Sequence, residues 1–215
     1  MRKRKVSNPL ALAVLSLLTE KPMHPYEMSS TLRERAKEES IKLNFGSLYS
    51  VVESLRRHEL IDVQETVREG RRPERTVYAI TDAGREEFVD WESELLSVPV
   101  KEYTQFEAAL SLVGALPPDE VIRLLDTRRM RLTTEIVSQR AVIDEMSKQG
   151  MPYLFAVEAD YVLVLRQAEL AFVERLLNQM RDGSLEGIDF WREVHDNGGA
   201  NPESGWETTP LRRVK

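Results

Sequence analysis

The chain has 215 residues, of which 41% are hydrophobic, with a formal net charge of −6 and no cysteine. That length and apolar content allow one large or two small domains with real cores. The lack of cysteine excludes disulfide staples, thiolate metal sites and a cysteine nucleophile, and it suits a reducing cytoplasm.

The N-terminus opens with four cations, Arg2, Lys3, Arg4 and Lys5. The apolar run Leu10–Leu18 follows. At about nine residues it is too short to cross a bilayer, so no membrane role is expected. Pro9 at its start makes it a core helix over about 9–19, with Leu10, Val14, Leu17 and Leu18 inward. A second helix is predicted from Pro25 to about Ala36, presenting Tyr26, Met28 and Leu32.

A third helix spans about 45–58. Leu48, Val51, Val52 and Leu55 recur at spacings of three and four, which glues one face to a core. Ser47, Ser50, Ser54 and Arg57 fall on the other face. Small hydroxyls and one long cation allow close approach to base edges and phosphates, as a major-groove recognition helix requires.

After His58 the apolar period changes to two, through Leu60–Thr66 and again through Arg75–Ile80. Both stretches read as strands, and Gly70 and Pro73 mark a turn between them. Arg68, Arg71, Arg72 and Arg75 crowd that turn against only Glu69 and Glu74. A helix followed by a ribbon with a cationic tip is a winged helix-turn-helix; a solvated hairpin is the competing reading. Thr81 and Asp82 are good caps for a fourth helix over about 82–97, whose end is marked by Val98 and Pro99.

Past that boundary a helix is predicted over about 103–115, and Pro117 starts a long one running to Lys148. About 31 residues at 1.5 Å each make a rod of roughly 46 Å. Its stripe is Val121, Leu125, Arg128, Leu132, Ile136, Gln139, Ile143 and Met146, weakened by its two polar members. A second rod, Pro152 to Asp182, carries Leu154, Val157, Tyr161, Val164, Leu165, Ala168, Phe172 and Leu176. Joined through Gly150, the rods form an antiparallel hairpin whose stripes ask for cover. A partner subunit or an intramolecular four-helix packing would supply it. Phe190 and Trp191 are placed to tuck back onto the rods. Residues from Asn197 on lack any period and read as a disordered tail.

The expected architecture is therefore mainly α. An N-terminal α+β winged helix-turn-helix occupies residues 1–98, a helical dimerisation and effector domain residues 99–195, and a tail residues 196–215. Charge is also uneven along the chain. Residues 1–91 hold 16 Lys and Arg against 15 Asp and Glu, whereas the remainder holds 14 against 21. The acidic excess lies outside the winged helix, which leaves the clusters at 2–5 and 68–75 to attract phosphates.

The ordered motifs His24-Pro-Tyr-Glu-Met28, Gly46-Ser-Leu-Tyr49, Gly70-Arg-Arg-Pro73 and Tyr78-Ala-Ile-Thr-Asp-Ala-Gly-Arg85 resemble the PadR family of bacterial transcriptional regulators. The resemblance covers roughly residues 8–95. Three positions depart from the usual pattern: Pro25 stands where glycine is common, Ser47 where threonine is, and Ser50 where proline is. Pro25 suits a first helical turn, where its missing N–H is not needed. Ser50 adds a hydroxyl to the expected DNA face.

The resemblance implies a homodimeric repressor of double-stranded DNA, with two winged domains set on a shared axis by the C-terminal helices. The expected DNA contacts are Lys42, Asn44, Ser47, Tyr49, Ser50, Ser54 and Arg57, with Arg68, Arg71, Arg72 and Arg75 on the wing. Tyr26 is a further candidate, with helix packing as its competing role. Family members that answer to aromatic compounds suggest a pocket for a small aromatic effector lined by Phe88, Trp91 and Phe106, for which core packing is the competing role. Two other functional classes compete with this one. An enzyme would need a nucleophile, phosphate loop or metal cluster. His24, His58 and His195 sit in unrelated settings, so no catalytic residue, metal or cofactor is expected. A winged-helix protein-interaction module without DNA would not need the cationic tip.

Overall fold

The computed structural model describes residues 4, 6–41, 44–67 and 75–196. The chain is mostly helical with one two-stranded antiparallel sheet, and it divides into two units, Met1–Glu102 and Tyr103–Lys215.

In the first unit α1 (Pro9–Glu20) starts where Asn8 Oδ1 accepts from Leu10 N at 2.9 Å, with Pro9 in the first turn. Leu10, Ala11, Val14, Leu15, Leu17 and Leu18 are all buried, so α1 is the central helix of the core and not a one-sided one. Helix α2 (Pro25–Glu34) is capped by the His24 ring. It stops two residues before the predicted end because Ala36 turns into the left-handed region at φ 52°. Helix α3 is Phe45–Arg57. Its predicted dry face is dry: Leu48, Val51, Val52 and Leu55 are buried against α1 and its neighbours.

Strands β1 (Ile61–Val67) and β2 (Arg75–Ile80) pair antiparallel from Ile61↔Ile80 to Val67↔Arg75, with an irregularity between Val63 and Glu65. Met23, in the α1–α2 loop, pairs with Tyr78 from the other side, Met23 N donating to Tyr78 O at 3.0 Å and Tyr78 N to Met23 O at 2.9 Å. Helix α4 (Asp82–Ser97) begins at Thr81, whose Oγ1 accepts from Gly84 N and donates to Glu59 O. At Gly84 the helix passes so close to the α3–β1 connection that a Cβ would lie 2.0 Å from Leu60 O. Only glycine fits.

In the second unit α5 (Gln105–Ser111) is shorter than predicted, because the chain tightens into a 3₁₀ turn at Val113–Ala115. Helix α6 (Pro118–Lys148) has the predicted limits, and Val121, Leu125, Leu132 and Ile136 of its stripe are buried. Its polar Arg128 is accommodated by an ion pair with Glu169 and by lying 3.7 Å from the Phe106 ring centroid. Helix α7 (Val157–Asp182) follows a 3₁₀ turn at Tyr153–Phe155, and Gly183 ends it at φ 78°.

Much of the stripe read on α7 is left uncovered within the chain. Leu154 is 77% exposed, and Tyr161, Val164 and Leu165 are also exposed. The buried residues are Leu163, Val173, Leu177 and Met180, about one position out of phase. Helix α7 is apolar on two adjacent faces, and α6 takes the one the period did not single out. Helix α8 (Ile188–Asp196) packs back on this core through Ile188 and Trp191, whose Nε1 donates to Leu116 O at 2.9 Å. The expected tail, from residue 197 on, lies outside the described residues.

Candidate nucleic-acid interface

Helix α3 has a buried back, so its front is fixed in direction. Asn44 Oδ1 accepts from Ser47 N at 2.8 Å, the N-cap role expected of Asn before a helix. At the far end His58 Nδ1 lies 2.8 Å from Ser54 O. Between them Ser50 is exposed and its Oγ donates to Gly46 O at 3.0 Å. With its proton engaged, Ser50 presents lone pairs outward, suited to amino donors on base edges. Ser47 and Ser54 are half-buried, and Arg57 is exposed. The neighbouring Arg56 is held by Glu53, with Nη2 to Oε1 at 2.8 Å, and that guanidinium keeps the Glu53 carboxyl below the usual carboxylate range.

Two aromatic rings extend this surface. Tyr26 on α2 is 62% exposed and Tyr49 on α3 is 51% exposed. Tyr26 stacks on the His24 ring with centroids 6.0 Å apart, and His24 Nδ1 accepts from both Tyr26 N and Glu27 N. The solvent exposure of Tyr26 argues against core packing as its main role.

The front of α3 also forms one wall of an open groove of about 730 Å³, lined by Asn44, Gly46, Ser47, Ser50, Val51 and Ser54 on one side and by Val6, Ser7 and Asn8 on the other. Residues 6–8 were missed by sequence reasoning. The Asn8–Pro9 cap fixes where α1 begins, but no periodicity says what the segment before it lies against.

One member of the basic N-terminal cluster needs correction, while Arg2, Lys3 and Lys5 lie outside the described residues. Arg4 does not face outward; its side chain is 2% exposed. Its Nη1 donates to Glu87 Oε1 at 2.6 Å and its Nη2 to Glu94 Oε2 at 2.7 Å, with Asp90 Oδ2 at 3.4 Å. Burial opposes its charge, and the hydrogen bonds it donates to Glu87 and Glu94, with their negative charges, outweigh that, so its pKa is raised. Three carboxylates on α4 attract it more strongly than solvent does. Lys42 and the wing tip, with Arg68, Arg71 and Arg72, lie outside the described residues, as does the Arg75 side chain, although Arg75 opens β2.

The three rings expected around an effector are placed in two cores. Trp91 is 3% exposed in the first core, with Phe88 packed against it. Phe106 belongs to the second, edge-on to Phe172 at 6.4 Å. Among the described residues no cluster of three His, Asp or Glu side chains is arranged to hold a metal, and no helix is long and apolar enough to cross a membrane.

A helix-turn-helix with a two-stranded wing, followed by a unit built on a long helical hairpin, defines a winged-helix protein with a PadR-type architecture. Residues 14–90 match the sequence profile described as the Transcriptional regulator PadR-like family. A comparison with curated proteins returned no match. Bacillus subtilis PadR in complex with operator DNA is 17% identical, with a TM-score of 0.64 over 80% of this chain and 99% of the other. The same protein in complex with p-coumaric acid gives 16% identity and a TM-score of 0.62 over 79% and 97%. A PadR-like transcriptional regulator from Bacillus cereus is 18% identical, with a TM-score of 0.53 over 81% and 99%. Residues 14–90 thus resemble the PadR-like family of transcriptional regulators, and the fold of the chain is that of the solved PadR structures.

Proposed function

We propose that the protein is a homodimeric repressor that binds a palindromic operator in the cytoplasm, with α3 in the major groove and the wing along the flanking backbone. The observation that carries this reading is the two-sidedness of α3: a buried apolar back against a polar front in which Ser50 and Arg57 are exposed and Ser47 and Ser54 half-buried. A front of small hydroxyls lets the helix backbone come close to base edges. Tyr26, Tyr49, Lys42 and Asn44 are assigned to phosphates at its margins, and Arg68, Arg71, Arg72 and Arg75 to the wing contact. Residues 1–98 are assigned to DNA and residues 99–195 to pairing and effector response.

The unpartnered face of α7, with Tyr161, Val164 and Leu165, supports pairing with a second copy. Two-fold symmetry then sets half-sites about one duplex turn, roughly 34 Å, apart. Bacillus subtilis PadR has been solved with p-coumaric acid, which supports a small aromatic effector here, with Phe88, Trp91 and Phe106 as the residues to test. Catalysis forms no part of this reading.

Selection of duplexes from a random pool tests it directly. The expected product is a palindrome bound with a steep salt dependence. Arg71→Ala with Arg72→Ala should weaken binding to all sequences and flatten the salt slope by up to about two units. Recovery of no preferred duplex would overturn the DNA reading, and an unchanged slope would remove the wing from it.

A further inference from the structure

Arg4 belongs by sequence to a phosphate-seeking cluster, yet it is bound inside the first unit. Glu87, Asp90 and Glu94 stand on successive turns of α4 and grip its two terminal amino groups. Its guanidinium carbon lies 5.5 Å from the Trp91 ring centroid. Its Nε is buried without a hydrogen-bond partner among the described residues, so the anchor rests on the two amino groups alone. Buried and paired in this way, the Arg4 guanidinium is withdrawn from solvent, and what it supplies is position.

What it positions is the groove wall. Four residues further on, Asn8 is fixed by capping α1. The segment between is thus tied at both ends, to α4 by Arg4 and to α1 by Asn8. Ser7, exposed between these ties, lines the same groove as the hydroxyl front of α3. A concave slot with hydroxyls and amides on both walls and no carboxylate lining fits one strand of a phosphodiester backbone.

We propose that Arg4 is a positioning residue that holds Val6–Asn8 as the second wall of a backbone slot, in which Ser7 donates a hydrogen bond to a phosphate beside the α3 contact. This rests on the DNA-binding reading above and deepens it. Contacts to phosphate fix register and carry no sequence information. Arg4 therefore affects how tightly duplexes bind and leaves their ranking alone.

The test uses the full chain and a duplex that it selects from a random pool. Ser7→Ala should weaken binding about tenfold, the worth of one hydrogen bond to a charged group. Arg4→Gln should do the same, and the double variant should be no weaker than Arg4→Gln alone, because an unheld arm has no contact left to lose. Ethylation interference should vanish at the same phosphate in both single variants, with sequence preference unchanged. Independent, multiplying losses would assign Arg4 a general structural role and overturn the proposal. Wild-type affinity in Ser7→Ala, an exposed site whose substitution leaves the fold intact, would overturn it even if Arg4→Gln fails to fold. If the wild-type chain selects no duplex, the DNA reading falls and the slot with it, an outcome distinct from tight wild-type binding that Ser7→Ala does not change.

Discussion

Helices α3 and α7 are both amphipathic, yet the sequence discloses the orientation of one and leaves open which face of the other meets α6. On α3 the apolar residues occupy a single face and the opposite face is serine and arginine, so only one rotation about the axis buries Leu48, Val51, Val52 and Leu55. On α7 apolar residues cover two adjacent faces. Two rotations about 100° apart then bury similar area against α6, and packing detail chooses Leu163, Val173, Leu177 and Met180. A helix with one apolar face has one answer. A helix with two has as many answers as it has neighbours, and one of its faces is left exposed.

The largest expected effect comes from breaking the frame that orients α3. Gly84→Ala drives a methyl group into Leu60 O, with no flexible side chain to yield. It should destabilise the first unit by at least about 3 kcal/mol, seen as a lowered urea midpoint; unchanged stability would mean that the α4 junction is looser than described. The two faces of α7 can then be set against each other. Leu177→Ala, in the core, should cost about 2–5 kcal/mol of unfolding free energy. Val164→Ser with Leu165→Ser, on the exposed face, should leave unfolding at low protein concentration within about 0.5 kcal/mol of wild type while abolishing dimer in sedimentation. If instead the exposed pair proves the more destabilising at every concentration, the phase described for α7 is wrong.

On α3 the contrast is sharper and the effect smaller. Ser50→Ala, on the exposed front, should keep or slightly raise helix stability and weaken selected-duplex binding about tenfold. Smallest of all is the ion pair between Glu20 and Arg35, with Arg35 Nη1 to Glu20 Oε1 at 2.5 Å. The hydrogen bond from Arg35 holds the Glu20 carboxyl below its ordinary range, so its contribution is full at neutral pH and fades as pH falls through that lowered value. Because both side chains are about half exposed, Glu20→Gln should cost about 0.5 kcal/mol at pH 7 and nothing measurable near pH 2.

Much of this architecture was legible because its signals are local. Asn8, Asn44 and Thr81 announce helix starts through their side-chain oxygens, and Pro118 to Lys148 could be bounded from a proline and a glycine alone. What stayed hidden depends on distant partners. Arg4 reads as a surface cation until Glu87 and Glu94, more than eighty residues away, are brought beside it. The end of α2 depends on one residue, Ala36, adopting a backbone conformation that its side chain does not signal. The groove wall at residues 6–8 had no sequence signal, since its placement follows from that same distant ion cluster.

The bridge between Met23 and Tyr78 has a mechanical corollary. Because β2 exchanges hydrogen bonds with the α1–α2 loop as well as with β1, the hairpin is stitched into the helical body and cannot hinge as a separate flap. Load applied along the paired strands is delivered to the joint between the first two helices, so strands and helices respond as a single stiff body.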